Sequence, residues 1–211
     1  MTRNFFRFFA SLTLALAIFG MDSDVSAGGG TNNGHFRDLG GDAYFYSSDP
    51  SGCVVTEVII FATQHYFQSP PGRGDEGPFA SLLIFQYDVC TGTELISASG
   101  SAGPDLHIQV DKKLNWATMT GTALVFDGVS QSDLEIFIDV AWTAVGPPIH
   151  ETNHSHFHSP KCHLMARSNG IYRTAEASGT VTDDVTNFTP DAAVVANIFK
   201  TKNGNLTVGC N

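Results

Sequence analysis

The chain has 211 residues, 42% of them hydrophobic, with 21 acidic against 11 basic side chains and a net charge of -10. Its basic residues form no cluster, and phosphate binding needs Lys and Arg, so the composition excludes nucleic acid as a partner and offers little to an anionic membrane.

The N-terminus predicts an export signal over residues 1–27. Arg3 and Arg7 give a positive start, Phe8 to Gly20 is apolar and uncharged, and Val25-Ser26-Ala27 offers small residues for cleavage. That apolar run falls short of the ~20 residues a bilayer span needs. No second long apolar segment follows, so no membrane span is expected after cleavage, and the protein is expected to be secreted or periplasmic. Residues 28–41 are rich in Gly and Asn and are expected to form a flexible leader. Residues 42–211 are then one domain. The predicted signal holds two Arg and two Asp, so the mature chain keeps the full charge of -10.

From residue 42 onward the hydrophobic pattern has period two. Ala43–Ser47 is the first strand candidate, and Val54 to Thr63 is a denser, β-branched run that predicts a buried strand. Leu83, Phe85, Tyr87 and Val89 alternate before Cys90, and Leu106, Ile108 and Val110 alternate around His107 and Gln109. Trp116–Phe126 follows. The clearest case is Asp133 to Thr143, where Leu134, Ile136, Ile138, Val140 and Trp142 share one side. Met165–Tyr172, Ala175–Thr182, Val194–Lys200 and Leu206–Cys210 complete the set, with Asn203-Gly204 predicting a tight hairpin between the last two. Ala117 to Thr122 and Ala175 to Thr180 echo one another around Gly121 and Gly179. About ten short strands without a convincing helical period predict an all-β antiparallel sandwich, of jelly-roll or immunoglobulin-like type.

Four cysteines, Cys53, Cys90, Cys162 and Cys210, lie beyond the signal. An even count in an exported chain predicts two disulfides, Cys53–Cys90 and Cys162–Cys210 by sequence proximity.

The one constellation with metal-binding chemistry is histidine-rich. His150, His154, His156, His158 and His163 fall within fourteen residues. In an extended chain His154, His156 and His158 point to one side. Two of them, with His163 or His107, supply imidazole donors suited to zinc or copper(II). The surrounding sequence is polar and proline-flanked, which equally describes a solvated loop. His156-Phe157-His158 resembles the first ligand pair of copper–zinc superoxide dismutases over these few residues only, since no histidine follows His163 to complete that set. Arg73-Gly74-Asp75 is an RGD tripeptide in a Pro- and Gly-rich loop, a three-residue integrin-type signal. Asp183-Asp184 with Asn187 offers oxygen ligands that would suit calcium or an ordinary turn. Asn153, Asn187 and Asn205 each begin an N-glycosylation acceptor triplet.

No G-x-S-x-G, H-E-x-x-H or phosphate-cradling glycine loop occurs. The acids Asp133 and Glu135 belong to the polar side of a strand, and Tyr44, Tyr46 and Phe137 are candidate sugar-stacking rings. The sequence therefore predicts a non-enzymatic binding or structural β protein with a glycan or protein-surface ligand. A zinc or copper protein built on His154, His156 and His158 is the alternative.

Overall fold

A computed structural model describes residues 30–64, 66–68, 78–102, 105–158, 162–182, 187–188 and 193–210. The expected signal peptide, Arg73-Gly74-Asp75 and Asp183-Asp184 lie outside the described residues. Thirteen strands are present among those residues. In chain order they are β1 (Gly30–Arg37), β2 (Leu39–Ser48), β3 (Val54–Thr63), β4 (Tyr66–Gln68), β5 (Phe79–Asp88), β6 (Thr93–Ala102), β7 (His107–Val110), β8 (Trp116–Asp127), β9 (Ser132–Ala144), β10 (Ile149–His158), β11 (Cys162–Thr182), β12 (Asn187–Phe188) and β13 (Val195–Cys210). The fold is all-β and antiparallel, as the alternation predicts.

The pairings close a ring. β2, β3, β5, β6, β8, β9, β11 and β13 each pair with the next, and β13 pairs back onto β2. Two opposing walls face one core, as in a sandwich, and the ladder continues round both sides. Inside lie Phe45, Val58, Ile60, Leu82, Met119, Val125, Ile136, Ile138, Val140, Trp142 and Ile198, all fully buried. β7 pairs with the first half of β8, and β6 with its second half. Leu106 and Ile108 join the core at the break between them. Trp142 reaches across from β9 and donates Nε1–H to the carbonyl of Asp42 on β2 at 2.9 Å.

The Cys53–Cys90 disulfide forms as expected, with Cα atoms 5.2 Å apart. It ties the β2–β3 turn to the β5–β6 turn. Closing a loop of 37 residues stabilises the fold by about 4 kcal/mol, chiefly by restricting the unfolded chain.

Two expectations are corrected. Residues 30–37 are not a loose leader: they form β1, laddered to β13 from Gly30↔Cys210 to Phe36↔Gly204. Backbone pairing recruits this segment, and its Gly and Asn content hides the strand. Asn203-Gly204 is not a hairpin turn either, because both residues lie inside β13, with Asn203 opposite Asn169 and Gly204 opposite Ser168. The predicted strand pairs Met165–Tyr172 with Ala175–Thr182, and Val194–Lys200 with Leu206–Cys210, are thus two long strands, β11 and β13.

Those long strands extend the sheet beyond the ring. Residues 175–182 of β11 pair with β9, whereas residues 162–174 pair with β13. Outside the ring, β10, β11, β13, β1 and β4 make a five-stranded projecting sheet. It leaves from the end opposite the disulfide, because β11 enters the ring where Ala175 meets Ala144, the last residue of β9.

Candidate functional site

The histidine cluster forms strand β10, not a loop, and its register on β11 is continuous. His158 lies opposite His163, His156 opposite Met165, His154 opposite Arg167 and His150 opposite Ile171. The ladder then carries Arg167 to Asn205 on β13, Asn205 to His35 on β1, and His35 to Gln68 on β4. Period two puts His154, His156, His158, His163, Arg167, Asn205 and His35 on one face of the projecting sheet. All seven residues are exposed.

Local contacts set the geometry of this imidazole face. His35 Nδ1–H donates to Asn205 Oδ1 at 2.6 Å, which in the neutral ring leaves Nε2 as the acceptor or ligand atom. The rings of His158 and His163 stand 6.3 Å apart between centroids, tilted by 34°. The His163 ring lies over Gly209, and a Cβ at that position would collide with it. On the adjoining rung the Thr152 hydroxyl donates to Asn169 Oδ1 at 2.9 Å.

The structure thus brings together the four predicted residues His154, His156, His158 and His163. It does not bring His107 to them: that residue pairs with Thr120 on the barrel. Among the described residues no group of three or more His, Cys, Asp or Glu side chains converges on one point. Three members of the face escape a sequence reading. His35 sits far upstream in the Gly- and Asn-rich stretch, Arg167 carries no local motif, and Asn205 stands out only as the start of a glycosylation triplet. Only the four-strand register unites them. Asn187 stands in β12, opposite Thr182.

Among the described residues the face carries no carboxylate. Its positions on β10 are His150, Thr152, His154, His156 and His158, and on β11 His163, Met165, Arg167 and Asn169. The nearest acid on β10, Glu151, belongs to the opposite parity. In a chain of net charge -10 this is a local inversion of sign. Neutral imidazole both donates and accepts hydrogen bonds, and the Arg167 guanidinium presents a fork that fits a carboxylate in two parallel hydrogen bonds.

Comparison with protein families, with characterised proteins and with solved structures finds no match.

Proposed function

We propose that the chain is an exported, non-enzymatic binding protein, and that the imidazole face is its recognition surface for a carboxylate-bearing ligand, an acidic glycan or a protein surface. The observation that carries this reading is the register placing six histidines and Arg167 on one exposed face that holds no acid among the described residues. The charged start and apolar run of the N-terminus support export, and the Cys53–Cys90 disulfide fits an oxidising compartment. Charge-assisted pairs from Arg167 supply most of the attraction, and the imidazoles add hydrogen bonds and flat contact surface.

Calorimetric titration with poly-L-glutamate tests the reading, comparing wild type with an Arg167→Glu, His154→Ala double variant. The wild type is expected to bind and the variant to bind roughly tenfold more weakly or less. A wild type that does not bind, or a variant that binds equally well, overturns the proposal.

A second reading is favoured by one specific contact, the directly opposed His158 and His163 rings. Two imidazoles with water completing the shell would hold zinc or copper(II) at the surface. Stoichiometric metal in the wild type that disappears in a His158→Ala, His163→Ala variant would establish it.

A further inference from the structure

We propose that the partner of the imidazole face is a second copy of this chain, docked through the outer surface of β8 and β9. This rests on the carboxylate-binding reading of that face and names its partner.

The barrel supplies the complementary surface. The strands β2, β3, β5, β6, β8 and β9 contain no Lys or Arg at any position. On the outward side of β9 stand Asp133, Glu135 and Asp139, all exposed. Between them is Phe137, 50% exposed, and beside them on β8 are Leu124 at 58% and Phe126 at 48%. The register interleaves the two types: Phe126 lies opposite Asp133, Leu124 opposite Glu135 and Thr122 opposite Phe137. Three half-exposed apolar side chains among three acids that have no ion pair among the described residues form a surface that calls for a partner both cationic and able to cover rings.

Arg has that combination, and neutral imidazole beside it donates hydrogen bonds and covers rings. A guanidinium or imidazole pairs with carboxylate at its edge and stacks on an aromatic ring with its face. The imidazole face offers both, along with the exposed Arg37 on β1. The spacing is also commensurate. Residues two apart on a strand are ~6.6–6.8 Å apart, so the row His154, His156, His158 repeats with the row Asp133, Glu135, Phe137, Asp139.

The two surfaces lie on different parts of one molecule, so the contact is head-to-tail and chains can extend. Wall-to-wall pairing is opposed by like charge. At physiological salt the Debye length is ~8 Å, which screens repulsion between whole molecules of charge -10 while leaving contact pairs effective.

Sedimentation velocity over a concentration series of the mature chain tests this, with two variants. One reverses the wall (Asp133→Lys, Glu135→Lys), and the other reverses the face (Arg167→Glu, His156→Glu). The wild type is expected to associate reversibly and each variant alone to associate roughly tenfold more weakly or less, while an equal mixture of the two regains association. The wall variant carries less net charge, so indiscriminate clumping would increase in it, the opposite of the expected loss. A monomeric wild type, association that survives wall reversal, or a mixture that stays dissociated overturns the inference. Poly-L-glutamate binding separates the two proposals. If the monomeric chain binds the polymer, the recognition surface stands and only the self-partner falls. If it does neither, both fall.

Discussion

Asp42 shows how this barrel handles a carboxyl group that it covers. Its carbonyl receives the Trp142 indole, and its side-chain Oδ2 accepts from Asn197 Nδ2 at 3.2 Å. Burial pushes its pKa up to about 6, against the opposing pull of the Asn197 hydrogen bond. A carboxyl raised in the folded state binds its proton more tightly there than in the unfolded chain. Stability therefore falls as pH rises from about 4 through 6, and the full cost of charging remains above that window. Asp42→Asn keeps an acceptor for Asn197 and removes the charge. We expect the variant to match wild type in urea unfolding near pH 3, below the unfolded carboxyl's own pKa. At pH 7.5 it should be more stable, by at most about 3 kcal/mol. Equal differences at both pH values would refute the assignment. Asp127 is the opposite case. Burial raises its pKa, but Ser130 Oγ and the backbone N–H groups of Ser97, Val129 and Ser130 outweigh burial and hold it at about 2. Its stabilisation persists above pH 4 and is lost only as pH falls toward 2.

At the scale of strands, the echo around Gly121 and Gly179 does not mark equivalent positions, since Ala117 lies opposite Trp142 and its counterpart Ala175 opposite Ala144, but the same two strands do make room for one ring. β8 and β11 flank β9, and Ala117 and Ala177 both lie opposite Trp142. Small residues on either side make room for the largest buried ring. Gly179 has φ of +151°, and a Cβ there would collide with the Asp139 carbonyl and Val140. Gly179→Ala is expected to cost about 3 kcal/mol or more, from strain and displaced backbone. Gly52→Ala, at φ +73° in open space, should cost only about 1 kcal/mol. Comparable losses in thermal unfolding would contradict this reading of β11. The same strand shows where sequence reading succeeds and where it stops. Val54–Thr63 is legible to the residue because its β-branched run is bounded by turn chemistry. β9 is legible because one side is buried and the other wet. β11 and β13 read as broken strands because their apolar parity reverses partway: Ala175 and Ala177 are buried on one side, Ala166 on the other. The reversal sits beside a register shift at Asn169/Gly170, and Asn203-Gly204 mimics a turn there. The register also puts Cys162 directly opposite Cys210. We predict a Cys162–Cys210 disulfide, to be found as a linked peptide in non-reducing mass mapping. Alkylation of both thiols without reduction would exclude it.

For the whole molecule, the central feature is the separation of charge. Acids and exposed rings occupy the barrel wall, and imidazoles with Arg37 and Arg167 occupy the projecting sheet. Composition reveals only the sum of -10, which conceals a face without acids among the described residues. Five residues of that face are legible as a histidine cluster, since period two alone aligns His150, His154, His156 and His158. His35, Arg167 and Asn205 are not, because pairing between distant strands places them. The central claim is that this face is the recognition surface. The most direct measurement follows the imidazole Cε1–Hε1 resonances by NMR during titration with poly-L-glutamate. The account predicts saturable shifts for His35, His150, His154, His156, His158 and His163, with His107 on the barrel unmoved. Shifts at His107 equal to those of the face, or no shifts at all, would contradict it.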